Sequence, residues 1–395
     1  MNGCRYIFLR GSFRKKKYLT FVLLIGILNV SGQQHLEKST ILKSMRLANN
    51  YFMNLWPDAG CTITTNKTRQ SHIWTRSVYY EGLLSFLAIE PDKTQKEKYL
   101  DYALSWGNKH QWGINGGTKS RNADNHCAGQ DYYDLYVLTG KKNTYMLDSI
   151  KCSLDKMLLT EKIDDWSWID AIQMDLPTWV SMGLAFNDTN YFHRANLMYD
   201  YTKNVQGGNG LYNSKEHLWW RDKDFLPPYK EPNGANCYWS RGNGWVAAAL
   251  VRVLKRLPKS DSHYTTYLKD YKDMCNALLP LQKQDGFWNV SLVDTTSFPS
   301  KELTGTSLFT YAFAYGINHH LLDEKEFSPA INKAWNAMVK DCVHPNGFLG
   351  WVQGTGKEPK DGQPLGYDKV PDFEDYGLGC FLLAGSEVYK LKSTK

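Results

Sequence analysis

The stretch WSRGNGWVAAALVRVLKRL, residues 239–257, decides how this chain folds. From Trp245 onward it is apolar almost all round, as a helix buried on every side must be. Its first turn instead gathers an aromatic ring, a serine, an arginine and an asparagine among glycines. Five other stretches are built alike: WTRSVYYEGLLSFL from Trp74, NADNHCAGQDYYDLYVL from Asn122, WSWIDAIQMDLPTWVSMGLAF from Trp166, TGTSLFTYAFAYGINHHLL from Thr304 and DFEDYGLGCFLLAGSEVYKL from Asp372. Ahead of each runs an amphipathic stretch with apolar residues at helical spacing on one face, as in Tyr99, Ala103 and Trp106. These first members are predicted over 41–56, 96–112, 143–162, 189–206, 262–282 and 327–343. An outer helix followed by an inner one, six times over, closes most simply as an all-α (α/α)6 toroid. The polar and aromatic ends of the inner helices then surround one mouth.

Residues 1–32 stand apart from that body. Arg5, Arg10 and the run Arg14, Lys15, Lys16, Lys17 precede an apolar stretch over 18–30, and Val30-Ser31-Gly32 offers small residues for cleavage. This is the build of a signal peptide, and it predicts export to the periplasm or beyond. The apolar run is short of the roughly 20 residues a spanning helix needs, so stable membrane insertion is not expected. No cysteine follows it to carry a lipid. The leader holds six basic and no acidic residues, so its loss takes the formal net charge from +7 to +1. A near-neutral body makes no electrostatic case for nucleic acid, and an anionic ligand must be held by local Arg or Lys.

Residues 33–395 read as one domain, because nothing in them has the composition of a linker. Gly- and Pro-containing connections at 206–238, 289–304 and 353–371 fall between a first and a second helix, where they cover the mouth. The tags Asn209-Gly210-Leu211-Tyr212, Asp285-Gly286-Phe287-Trp288 and Asn346-Gly347-Phe348-Leu349 recur before or within such connections. Seven cysteines remain after Cys4 leaves, with no CxxC spacing, so a zinc site or a disulfide framework is not expected. They read as small buried hydrophobes, with a single disulfide left open. No His, Asp and Glu spacing suggests a metal, and no cofactor is implied.

The chain carries 14 Trp and 25 Tyr, many at inner-helix starts or in the connections. Rings beside carboxylates and amides suit sugars, whose CH faces stack and whose hydroxyls need fixed partners. A large helical core also needs bulky residues, so aromatics alone leave that reading equally open.

Two elements carry a resemblance. Trp168-Ile169-Asp170-Ala171-Ile172-Gln173-Met174 with Pro177-Thr178-Trp179, and Tyr238-Trp239-Ser240-Arg241-Gly242-Asn243-Gly244-Trp245, resemble the unsaturated glucuronyl and rhamnogalacturonyl hydrolases, glycoside hydrolase families 105 and 88. The likeness runs through nearly the whole body, adding 74–83, 122–130 and the His217 region. The Arg-Gly-Asn-Gly-Trp element is specific, whereas single aspartates are not. The resemblance implies the (α/α)6 barrel and an unusual glycosidase. Its substrate is a lyase-generated oligosaccharide, an anionic chain ending in a 4,5-unsaturated uronic acid. The enol-ether double bond is hydrated, and the hemiketal that forms opens and expels the next sugar.

In that reading Asp170 protonates C4 and then activates water at C5. Trp166, Trp168 and Met174 supply apolar surroundings that raise a carboxyl pKa. Asp124 heads another inner helix and supports Asp170, either through ring hydroxyls or by like charge. Each aspartate also reads, on spacing alone, as an N-cap. His217 lies where the family has a substrate-contacting His; on its own it would be a packed or surface residue. Arg241 and Trp245, four apart, share a helix face and are expected to present a cation and a ring to one sugar. The glycines between them serve close ligand approach or tight helix packing. Trp168, Met174 and Trp74 complete the expected binding set. His126 is a weaker candidate, and His319 and His320 read as exposed.

Two features depart from the family pattern. Gln173 and Asp175 stand where apolar residues are common, which puts the subsite beyond the cleaved bond in question. The charge-rich segment 357–369 either closes over the substrate or is a solvated loop, and the solvated loop is the expectation. Rhamnose, from rhamnogalacturonan or sulfated ulvan, is the first choice for the following sugar, with a hexosamine second. A polysaccharide lyase and a two-carboxylate glycosidase on the same toroid are the alternatives.

Overall fold

The computed structural model describes residues 36–392, so the predicted leader lies outside the described residues. Six helices form an inner ring: α2 (Trp74–Ile89), the broken pair α4 (Ala123–His126) and α5 (Ala128–Leu138), α7 (Asp170–Phe186), α9 (Ser240–Leu254), α11 (Leu303–Asn318) and α13 (Asp375–Lys390). Six more alternate with them outside: α1 (Lys38–Leu55), α3 (Lys93–Lys109), α6 (Asp148–Leu158), α8 (Thr189–Asn204), α10 (Tyr264–Leu278) and α12 (Glu324–Asp341). The inner helices pack in chain order, and α13 returns to pack on α2, which closes the (α/α)6 toroid. Every residue of α9 and α11 but the last of α11 is buried, whereas the outer helices bury one stripe each, as patterning predicts.

Sequence chemistry sets the helix ends. Outer helices α3, α8 and α12 start after Asp92, Asp188 and Asp323, whose carboxylates accept from backbone N–H groups of the first turn. Inner helices α2, α7, α9 and α13 have no such side-chain cap. Their positive ends therefore face the mouth without a side-chain acceptor from the capping residue. Helix α2 begins at the expected Trp74 and α11 one residue before the expected Thr304, whereas α4, α7, α9 and α13 begin one to four residues later than patterning suggests. Residues 166–169 lie outside the helix before α7, and Trp168 pairs with Asp222 in an isolated β-bridge.

The short tags are turns that need glycine. Gly210, Gly286 and Gly347 all have φ between 80° and 98°, and a Cβ there would fall 2.0–2.7 Å from a backbone carbonyl oxygen. Two small hairpins decorate the mouth side: β1 (Ile63–Thr64) with β2 (Thr68–Arg69), and β3 (Tyr212–Asn213) with β4 (Leu218–Trp219). All seven described cysteines are free thiols, five of them buried. Among the described residues no helix is long and apolar enough to cross a membrane.

Ring closure demands backbone contact between the first and last inner helices. A Cβ on Gly379 would sit 2.1 Å from Val78 O, and one on Gly82 would sit 2.5 Å from Gly379 O. No side chain lies between to give way. Gly379→Ala should therefore cost about 1–3 kcal/mol and lower Tm by roughly 5 °C, as followed by thermal denaturation. An unchanged Tm would show that α13 slides freely on α2.

Candidate active site

A cavity of about 130 Å³ opens at the N-terminal ends of the inner helices. Trp74, Asp124, Trp168, Asp170, Met174, Trp239 and Arg241 line it, joined by Arg221, Thr355 and Gly356 from the connections. Of the eight site residues expected from sequence, six meet here.

Asp170 is the first residue of α7 and 8% exposed. Its carboxylate does not cap the helix, since no side-chain cap bond is formed at this N-terminus. The backbone around it is clamped instead: the Ile169 N–H donates to Arg221 O at 2.9 Å beside the Trp168–Asp222 bridge. That clamp brings the Arg221 Nε to 3.2 Å from Asp170 Oδ2. Asp124 is likewise released from capping, because Asn122 accepts the Asp124 N–H at 2.8 Å and caps α4 in its place.

The two carboxyls differ in proton affinity. Burial, and then the charge of Asp170, push Asp124 up to about 6 against the pull of Arg69 and Arg221. Burial also raises Asp170 above the ordinary carboxylate range, but Arg221 and Arg241 pull it back. Like-charge pressure thus shows most strongly on Asp124, where the sequence reading put its effect on Asp170.

The Arg-Gly-Asn-Gly-Trp element turns out to be chiefly scaffolding. Arg241 donates through Nη1 to Gln353 O and through Nη2 to Gly354 O, both at 2.8 Å, while its guanidinium stacks 4.5 Å from the Trp239 ring centroid. Asn243 accepts the Trp219 N–H at 2.8 Å and donates to Trp219 O at 3.0 Å, which fixes β4. Gly242 and Gly244 make room for Trp239 and Leu308, so helix and ring packing is their use. Trp245 does not reach the cavity. It is buried and meets Trp74 edge-on at 6.2 Å, buttressing the ring that lines the site. Of the expected pair, Arg241 borders the cavity and Trp245 stands behind Trp74.

His217 is not brought to the cavity either. It sits in the β3–β4 turn at φ 55°, with its ring hydrogen-bonded to the Tyr212 hydroxyl at 2.9 Å and 3.8 Å from Asp273 of α10. Four residues further on, Arg221 occupies the place beside Asp170. Sequence reading missed Arg221 because a basic residue after two tryptophans carries no motif; only the clamp to Ile169 places it.

Gln173 and Asp175 leave the cavity for the core. Asp175 accepts from the indole N–H groups of Trp166 and Trp179, each at 3.0 Å, and pairs with His126 Nδ1 at 3.1 Å. Gln173 donates to Glu81 at 2.8 Å inside the barrel. The segment 357–369 keeps Lys357, Lys360, Asp368 and Lys369 exposed, as a solvated loop would, but it is pinned to the body. Gln353 Nε2 donates to Asp361 O at 2.8 Å, Tyr229 donates to Glu358 at 3.3 Å, and Glu358, Pro359 and Leu365 are buried. It packs beside 221–229 and holds Thr355 and Gly356 at the cavity.

A larger cavity, about 480 Å³, lies at the C-terminal ends of the inner helices. Its cations share two carboxylates: Arg252 and Arg256 lie on Asp134, and Lys255 and Lys390 on Glu387. The pair of carboxyls with aromatic walls is at the other end.

Residues 44–392 match the model of Glycosyl Hydrolase Family 88. An unsaturated 3S-rhamnoglycuronyl hydrolase of Formosa agariphila is 31% identical, with 95% of this chain and 98% of that protein covered. The solved structure of a glycosyl hydrolase family 88 protein from Bacteroides vulgatus is 27% identical with TM-score 0.79, covering 90% of this chain and 100% of that one. A solved structure described as a polysaccharide lyase is 25% identical with TM-score 0.78, covering 89% and 97%.

The Asp124 carboxyl provides a pH test. Its folded value lies above the ordinary 3.8, so the stability this proton supplies is present at low pH and is lost as pH rises through about 6. Asp124→Asn keeps the neutral shape at every pH. Its Tm should exceed that of the parent at pH about 7.5, and the gap should close as pH falls toward 4. A gap independent of pH would mean that Asp124 is not held protonated.

Proposed function

The chain belongs to glycosyl hydrolase family 88, and from that membership we propose that it removes a 4,5-unsaturated uronic acid from the non-reducing end of lyase-generated oligosaccharides. One observation carries this reading: an uncapped, buried Asp170 at the start of α7, facing a second raised carboxyl among tryptophan rings and arginines. Such a cavity suits a planar, anionic sugar ring, and a single acid that returns to its starting state suffices for hydration.

Asp170 gives its proton to C4 as the double-bond electrons form the new C–H bond. Water adds at C5 and returns a proton to Asp170, and the hemiketal then opens and expels the next sugar. Trp74 and Trp168 supply ring faces for stacking, with Trp239 buried at the wall. For the sugar that follows we take rhamnose, on the strength of the Formosa agariphila relative's name. We also take the protein to be exported, from the basic run and apolar stretch ahead of Gly32.

Asp170→Asn should fold and lose roughly 10² to 10⁴-fold in kcat, measured by loss of the ultraviolet absorbance of an unsaturated uronyl-rhamnose disaccharide. Retention of more than a few per cent of activity would remove Asp170 as the acid. In heavy water the uronate product should carry deuterium at C4, and the saturated counterpart should survive. Cleavage of the saturated disaccharide at a comparable rate would point to a two-carboxylate glycosidase built on Asp124 and Asp170.

The lyase-described neighbour supports one rival reading. A lyase creates the double bond, so absorbance would rise on intact polysaccharide. The hydrolase predicts a fall on lyase products, and the sign of the change decides between them.

A further inference from the structure

Arg221 is held as no other cation of the cavity is. Its Nε lies 3.2 Å from Asp170 Oδ2, its Nη1 donates to Asp222 Oδ2 at 2.6 Å, and among the described residues its Nη2 has no protein partner. The side chain is 20% exposed and lines the cavity. Arg241, the other arginine there, is 1% exposed and already spends both Nη groups on the Gln353 and Gly354 carbonyls. Arg241 Nε also lacks a partner but is buried, so among the described arginines lining the cavity the solvent-accessible spare donor is on Arg221.

The charges around Asp170 come from four places in the chain. Arg221 and Asp222 follow β4, Arg241 belongs to α9, and Asp124 belongs to α4 with Arg69 of β2 beyond it. Asp222 also accepts the Asp224 N–H at 2.9 Å, so it stays with its own turn. The bond from Arg221 to Asp170 is longer than the one to Asp222, and it joins two groups that both border the cavity. It is the exchangeable one.

Resting on the function proposed above, we propose that Arg221 is a positioning residue that the carboxylate of the unsaturated uronide draws away from Asp170, so that substrate binding itself turns Asp170 into the acid. The guanidinium keeps its charge and changes partner. Asp170, left in an apolar cavity without its counterion, takes one proton from solvent. It then gives that proton to C4 and recovers one from the water that adds at C5, so turnover is balanced. Burial already raises Asp170, and Arg221 is the foremost influence opposing it. A saturated or unsaturated uronide with a free carboxylate triggers the exchange, and an esterified one does not.

The test compares pH profiles, because kcat/KM reports groups of the free enzyme and kcat those of the complex. On the unmodified enzyme the alkaline limb of kcat should lie about one pH unit or more above that of kcat/KM, the usual influence of an arginine on a neighbouring Asp. Arg221→Gln should raise the limb of kcat/KM to meet that of kcat and raise KM roughly tenfold. Arg221→Lys should restore part of the separation, which a merely structural role would not produce. Should Arg221→Gln fail to fold, calorimetry of the unmodified enzyme with the saturated disaccharide, in buffers of different ionisation enthalpy, reads the same event as proton uptake on binding. Asp170→Asn should take up no such proton. Normal turnover with coincident limbs and no proton uptake overturns this inference alone. Failure to turn over any unsaturated uronide overturns it together with the functional reading.

Discussion

The backbone-to-backbone crossing of α2 and α13 is the constraint on which the molecule depends. Six helical hairpins added in sequence make an open arc until the first inner helix meets the last. That meeting is tight because Gly82 and Gly379 present no side chain, so each backbone rests on the other. Once the ring is closed, inner helices have no face left for solvent. Many of their polar residues are then paired inside the barrel or gathered at an end. Glu81, Gln130, Gln173 and Arg252 are paired inside, through Arg252 Nε on Gln130 at 2.7 Å and Gln173 on Glu81 at 2.8 Å. Asp170, Asp124 and Arg241 are gathered at the mouth.

Concentrating uncapped helix N-termini and carboxyls in one apolar recess sets the chemistry. Burial penalises charge, so both aspartates are raised, and the nearby arginines decide by how much. The helix N-terminal ends and the arginines make the recess favourable for an anion. The carboxyls keep it from being a passive anion trap. The opposite end of the barrel has more room, and its cations are drawn onto the shared carboxylates Glu387 and Asp134.

Several residues that look like binding groups act one step behind the cavity. Arg241 ties down the connection between α12 and α13, Asn243 ties down β4, and Trp245 supports Trp74. Through β4 and the clamp at Ile169, Arg221 arrives beside Asp170. Losing any of these supports would displace a group that touches the recess, which explains how one short element is so specific without itself contacting much of the cavity.

The sequence by itself determined the six outer and inner helices, since period and all-round apolarity follow from which faces are buried. It also determined that the inner-helix starts hold the polar and aromatic groups, and so that Asp170, Asp124, Trp74, Trp168, Met174 and Arg241 meet. The three tags were legible as a recurrence, and the positive φ of their glycines came with the structure. Only the tertiary structure decided which way each side chain turns at the mouth. Trp245 and Arg241 are neighbours on one helix, yet one enters the wall and the other borders the cavity, because α2 and the 353–354 connection pack against them from outside their own element. His217 and Arg221 are four residues apart, and a β-bridge between Trp168 and Asp222 chose Arg221 for the place beside Asp170. Pairings of that kind join residues some fifty positions apart, and no local pattern records them.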